Sequence, residues 1–129
     1  MNEQELISTE LTELCMTAHT LTEEGAYDRC RTLLAQAMSQ HPDAPEPHNL
    51  LGLLLERSGK HADAMKHFRA ALALEPGYTP AAKNLELYGN FPAHGQPHWQ
   101  AADCHAAQNA EEVYKEWSLG RFFRKLWCA

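Results

Sequence analysis

The chain has 129 residues, a formal net charge of −6 at pH 7 and four cysteines. This length suits one domain with its own hydrophobic core, and the acidic balance disfavours a general nucleic-acid binder. No apolar run reaches the roughly 18 residues that cross a bilayer, and the acidic start lacks the basic-then-apolar layout of a secretory signal. We therefore expect a cytoplasmic protein whose thiols are reduced and in which membrane attachment is not favoured.

Periodicity and turn residues predict five helices along the first 88 residues. Their expected ranges are 3–24, 26–40, 46–58, 61–74 and 80–88. Gly25 and Gly59 suit tight turns between helices, because glycine accepts a positive φ without a Cβ penalty. Pro42 and Pro76 are expected to end the second and fourth helices. The sequence thus reads as two helical hairpins followed by one more helix.

The two hairpins recur with a period of 34 residues. Equivalent positions hold the same residue type at Leu21 and Leu55, Gly25 and Gly59, Ala37 and Ala71, and Pro42 and Pro76. A repeat of this length corresponds to one helical hairpin per unit, and stacked hairpins share a continuous core. Such stacks usually present a surface for binding other proteins.

The second unit, about residues 45–78, carries the most specific pattern. It reads His48-x-x-Leu51-Gly52-x-x-Leu55, then Gly59, then Ala64-x-x-x-Phe68, Ala71 and Pro76. This pattern resembles the tetratricopeptide repeat, although His48 and Leu55 depart from its aromatic consensus. The first unit, about residues 11–44, matches in register but has Thr17 where leucine is expected and Cys30 where alanine is expected.

A third unit begins and then stops. Thr79 is expected to cap a helix that has Pro80 at its first position, and Leu85 is in register with the earlier units. The run 89–92 then interrupts the pattern, so this helix reads as an end-cap of the stack. The resemblance implies an all-α fold, a right-handed α-α superhelix of about two hairpins and a capping helix over residues 1–88. A linker (89–107) and a C-terminal amphipathic helix (108–129) are expected to follow.

Small residues predict where helices approach each other closely. We expect Ala18 to face Cys30 inside the first hairpin, and Gly52 to face Ala64 inside the second. Bulky side chains are expected to fill the space between neighbouring hairpins, namely Leu34 and Phe68.

The resemblance also implies which residues line the concave groove. Carried over by register, the groove positions for a protein or peptide partner are Thr12, Cys15, His19, Thr22, Glu46, Asn49, Leu53, Glu56, Lys83 and Leu87. One subgroup of the family binds the C-terminal carboxylate of a chaperone with Lys, Asn and Arg, but Cys15 and His19 occupy two of those places, so we do not expect that clamp. Asn49 suits hydrogen bonding to a ligand backbone, or equally a solvated helix face.

The segment 89–107 is rich in Gly, Pro, His and Ala. His94, His98, Cys104 and His105 lie close together in it, and imidazole with thiolate suits zinc or nickel. The spacing between the first two histidines requires a helix, which Gly95 and Pro97 oppose. We therefore favour a polar linker over a metal site, and we predict neither a metal nor a cofactor.

The C-terminal segment, about residues 108–126, has apolar spacings of three and four and reads as an amphipathic helix. Its predicted contact residues are Tyr114, Trp117, Phe122, Phe123, Leu126 and Trp127. An aromatic face of this kind either packs on the repeats, binds a second chain to give a dimer or complex, or lies on a membrane surface. The three alternatives stay open at this point.

These patterns predict a non-catalytic interaction module, with a partner peptide or helix in the groove and the C-terminal helix covering the repeats or mediating association. The alternative is a self-assembling structural protein, or an adaptor at a membrane surface, acting through that helix. Nothing resembles a nucleophile elbow, a phosphate loop or a zinc-protease motif, so an enzyme is not predicted.

Overall fold

The computed structural model describes residues 2–90 and 95–103, and these residues contain no β-strand. The five main helices are α1 (Glu3–Glu23), α2 (Tyr27–Gln40), α3 (Glu46–Arg57), α4 (His61–Leu74) and α5 (Thr79–Gly89). All five predicted helices are confirmed, with ends within one residue of the expected positions. None of the helices described is long and apolar enough to cross a membrane.

The turns that close the two hairpins have the same geometry 34 residues apart. Gly25 has φ +76° and Gly59 has φ +79°, the left-handed region in which a Cβ is unfavourable. In both turns the amide after the glycine donates to a carbonyl five residues earlier, at 2.8 Å. This closing bond satisfies a carbonyl that the helix end would otherwise leave without a partner.

The first hairpin closes around small side chains, as expected. The Cys30 thiol lies 3.7 Å from the carbonyl oxygen of Ala18 and 3.6 Å from the hydroxyl of Thr22. All three residues are buried. Cys30 therefore acts as a small core residue in the place of the consensus alanine.

The second hairpin depends on a close approach of α3 and α4 at Gly52. A Cβ added there would lie 2.7 Å from Cδ1 of Phe68, too close for an ordinary contact. The three atoms nearest to that added Cβ all belong to the ring of Phe68, and the expected approach of Gly52 to Ala64 stays a prediction. The Phe68 ring is fully buried and stacks on Tyr88 of α5, with ring centroids 6.0 Å apart, so it does link the hairpin to the next helix.

The fifth helix begins one residue earlier than predicted. Thr79 is the first residue of α5 and Tyr78 holds the N-cap position, so the expected capping role of Thr79 is wrong. Its hydroxyl instead lies 3.5 Å from the carbonyl oxygen of Gly77. Pro80 still falls in the first turn, where its missing amide leaves no hydrogen bond unmade.

The helices form two layers. The central helix α3 packs on both α1 and α5, while α2 contacts α3 and α4 contacts α5. The first helices of the successive units therefore lie side by side in one layer, backed by α2 and α4. The main apolar cluster lies between the layers and is built on Leu34, Leu50, Leu54 and Phe68. This arrangement leaves one face of α1, α3 and α5 for the segment described next.

Candidate peptide-binding face

The layer of α1, α3 and α5 carries a short piece of the chain itself. Residues 95–99, which we call the docked segment, lie across these three helices without forming a helix or strand of their own. We call the surface beneath it the binding face. Trp99 at the end of the docked segment is only 4% exposed, so the contact excludes water from a large aromatic side chain.

Two buried asparagines hold the backbone of His98. The Asn84 side-chain oxygen accepts the His98 amide at 2.7 Å, and its nitrogen donates to the His98 carbonyl at 2.7 Å. The Asn49 nitrogen donates to the same carbonyl at 3.0 Å, and Asn84 donates to the Asn49 oxygen at 2.8 Å. Both asparagines are fully buried, so each of these bonds satisfies a group that would be costly to leave unpaired. We call Asn49 and Asn84 the amide pair.

The repeat brings the amide pair together. Asn49 lies on α3 and Asn84 lies 35 residues later on α5, one repeat plus one position. Since α3 and α5 are neighbours in the same layer, residues separated by about one period come side by side. The two amides therefore present their donors and acceptors to a single point of the binding face.

Next to the amide pair lies an aromatic subsite. The Trp99 ring stacks on the ring of His19, with centroids 4.2 Å apart and planes 10° from parallel. Trp99 also belongs to the apolar cluster that contains Cys15 and Leu53. A carboxylate oxygen of Asp103 accepts the Trp99 amide at 2.8 Å and the following amide at 3.1 Å, which turns the chain after the docked segment. Stacking of this kind contributes beyond the burial of area alone.

The electrostatics of the binding face are those of a desolvated surface. Burial, with Glu46 and Asp103 nearby, raises the pKa of the Cys15 thiol to about 12. Burial also raises the pKa of Glu46, whose Oε2 is buried without a hydrogen-bond partner among the described residues. Burial lowers the pKa of His98, and Lys83 adds to that effect while Asp103 opposes it. The Cys15 thiol is therefore neutral at physiological pH and the face disfavours added charge.

Comparison with known proteins identifies the repeat. Residues 45–78 match a family model described as "Tetratricopeptide repeat". Residues 45–78 are therefore a tetratricopeptide repeat. The chain is also similar to the protein named "Probable biofilm formation methyltransferase WspC" of Pseudomonas putida, with 34% identity over 65 residues. That match covers 50% of this chain but only 15% of the length of the relative. No solved structure matches the chain significantly.

Five of the ten groove positions predicted from the tetratricopeptide register lie at the docked segment or share the apolar cluster that contains Trp99. Asn49 bonds to the His98 carbonyl and His19 stacks on Trp99. Cys15 and Leu53 share the apolar cluster of Trp99, and Leu87 is the nearest side chain to an added Cβ at Gly95. Whether these five residues contact a partner stays a prediction.

Of the other five positions, two still act on charges at the binding face, Glu46 on Cys15 and Lys83 on His98. Thr22 is buried and donates to the Ala18 carbonyl at 2.8 Å, so it faces the interior of the first hairpin. Glu56 pairs with His61, and Glu46 is partly buried beside the face. Thr12 and Lys83 are exposed. The structure therefore places the ten predicted groove positions in different environments.

Three features of the site escaped the sequence reading: Asn84, the backbone of His98, and Trp99. Asn84 lies one position after Lys83, which the register selects, so a strict transfer of groove positions passes over it. Trp99 lies with Phe91 in the Gly- and Pro-rich stretch 89–107, where no periodicity indicates which aromatic side chain is buried. The predicted linker of residues 89–107 was not expected to reach the groove.

Several predictions lie outside the described residues. They include the C-terminal helix with its contact residues and any dimer that it forms, and three members of the considered metal set, His94, Cys104 and His105. The fourth member, His98, lies in the docked segment. Within residues 2–90 and 95–103, no group of three or more His, Cys, Asp or Glu side chains is placed to hold a metal ion.

Proposed function

We propose that this protein is a non-catalytic interaction module whose binding face takes the backbone of a partner protein or peptide. Tetratricopeptide repeats generally mediate protein–protein interactions, which supports a protein or peptide as the partner. The observation that carries the proposal is the amide pair on the backbone of His98. Its bonds go to an N–H and a C=O, groups that every residue except proline offers, so they suit a peptide of any sequence at that position.

The burial of the amide pair makes its hydrogen bonds to a backbone important whenever the face is occupied. Both side chains are fully buried while the docked segment is in place. If the segment left, the groups that it had paired would be exposed to water. A second peptide backbone at the same place would restore the bonds that the docked segment makes. The face is therefore matched to peptide groups rather than to a charged or purely apolar ligand.

The chemistry of the binding face supports a non-catalytic role. Cys15 is the nucleophilic side chain at the face, and burial raises its pKa to about 12, so its reactive thiolate is not populated near pH 7. The similar Pseudomonas putida protein is named a methyltransferase, but this chain spans 15% of its length. We therefore assign the module a binding role.

A selection of displayed random peptides on the full chain tests the proposal. Trp99→Ala is used to open the binding face, and the selected peptides are measured again on a chain that also carries Asn84→Ala. We expect binding to weaken at least about tenfold, because the buried amide contacts are lost. Asn90→Ala, an exposed asparagine after the end of the same helix, is the matched control and should leave binding unchanged. Peptides that bind equally to both Asn84 forms would refute the proposal, as would a selection that enriches none.

A further inference from the structure

We infer that the docked segment is an internal ligand that specifies the partner: a peptide in which an aromatic residue directly follows the residue held by the amide pair. Such a peptide binds by displacing His98 and Trp99. The inference rests on the proposed function and adds to it the side-chain chemistry of the partner and the competition with the chain itself.

The first step concerns what the docked segment supplies. At His98 the backbone amide and carbonyl make the bonds to Asn84 and Asn49. At the next residue the segment uses an aromatic side chain, since the ring of Trp99 lies 4.2 Å from that of His19 and is 4% exposed. The two contacts are therefore made by adjacent residues, and a competing peptide must offer both in the same order.

The second step concerns selectivity at the aromatic subsite. The stacking partner is the flat ring of His19, and the rest of the subsite belongs to the apolar cluster that includes Cys15 and Leu53. An anionic side chain would lose its hydration there and would be repelled by Glu46 and Asp103, the carboxylates that act on the Cys15 thiol. An aliphatic side chain would forgo the stacking contact. The subsite thus favours an aromatic ring.

The third step concerns competition. The docked segment begins six positions after Gly89, the last residue of α5, so it is present at the face at an effective concentration on the order of millimolar. A partner then binds only the fraction of molecules whose face is open, and its apparent Kd rises in proportion. A face that is closed in 99 of 100 molecules would weaken partner binding by about 100-fold. The same tether makes the contact reversible rather than permanent.

The test uses the chain's own segment as the probe. A synthetic fluorescein-labelled peptide with the sequence of residues 95–103, Gly-Gln-Pro-His-Trp-Gln-Ala-Ala-Asp, is titrated against the full-length chain and against its Trp99→Ala variant by fluorescence anisotropy. We expect at least about tenfold tighter binding to Trp99→Ala, whose face is open. The same peptide with alanine in place of tryptophan should bind that variant at least about tenfold more weakly. Adding Asn84→Ala to the variant should reduce binding of the tryptophan peptide, with helicity by circular dichroism as the check on folding.

Four results would overturn the inference. Equal binding of the tryptophan and alanine peptides would exclude an aromatic subsite, and equal binding to both chains would exclude competition by the docked segment. A dimer of the unmodified chain in light scattering that Trp99→Ala dissociates would place the segment on a second copy. If the displayed peptides instead bind in an Asn84-dependent way without an aromatic residue, the proposed function stands and this inference fails.

Discussion

Replacing Asn84 with alanine is the sharpest single perturbation of the binding face. The substitution removes a side chain that bonds at once to the His98 amide, the His98 carbonyl and the Asn49 oxygen, at 2.7, 2.7 and 2.8 Å. The His98 carbonyl keeps its bond from Asn49 at 3.0 Å. The His98 amide and the Asn49 oxygen lose the bonds that Asn84 provides. We expect the docked segment to leave the face.

The magnitude follows from those two orphaned groups. Leaving each one buried and unpaired costs about 1–3 kcal/mol, so a segment that stayed in place would destabilise the fold by roughly 2–6 kcal/mol. Release of the segment lets water reach both groups, and the cost then cannot exceed what docking contributes. Because docking involves a few hydrogen bonds and one aromatic ring, we expect a loss of about 1–3 kcal/mol in the free energy of unfolding.

Urea denaturation measures the loss, and the indole of Trp99 reports the release. The chain has three tryptophans, so Trp117→Phe and Trp127→Phe make Trp99 the single emitter. We expect its emission to shift to the red and iodide quenching to increase on Asn84→Ala, because the ring becomes hydrated. Asn90→Ala is the control, with a change within about 0.5 kcal/mol. A stability loss below that limit together with a still-buried Trp99 would contradict the role given to the amide pair.

Three further predictions concern the framework. Gly52→Ala forces a Cβ against a fully buried ring and should cost about 1–3 kcal/mol in thermal or urea unfolding, whereas Gly77→Ala meets open space and should be near neutral. Burial lowers the pKa of His48 and His67, so the unfolded chain binds more protons than the folded chain at mildly acidic pH. The free energy of unfolding should therefore fall as the pH drops below about 6.5. In denaturation curves measured across that pH range, His67→Gln should make the decline smaller. Glu46→Gln removes a partly buried carboxylate whose pKa is raised by burial, and should stabilise the fold by up to about 1 kcal/mol in urea at pH 7, unlike the exposed Glu13→Gln.

The helices were predictable because their signals are local. Turn glycines such as Gly25 and Gly59 need only the few residues around them, and their positive φ angles confirm the conformation expected there. The repeat also gives information about residues far apart in sequence, because the register of a residue such as Asn49 within its unit predicts the surface on which it lies. Asn49 and His19 contact the docked segment in accordance with that prediction.

The docked segment was not predictable in the same way. Its position depends on the path of the chain after α5, and neither periodicity nor register applies to a Gly- and Pro-rich stretch. Asn84 illustrates the difference, because its partner His98 is 14 positions away and belongs to no repeat. The role of Asn84 becomes visible only when both are placed in space.

Because the amide pair is buried, its hydrogen bonds are stronger evidence for function than the bonds of an exposed asparagine would be. An exposed asparagine can exchange its partner for water at little cost, so its bond to a peptide says little about function. Asn49 and Asn84 are both fully buried, and their bonds to each other and to His98 use donors and acceptors that water would reach only in an open face. The groups of the amide pair are therefore satisfied either by a backbone or, in an open face, by water. In the function proposed above, a partner binds by putting its own backbone in the place of the docked segment. On that proposal specificity comes from the neighbouring aromatic subsite, because the amide pair bonds only to an N–H and a C=O.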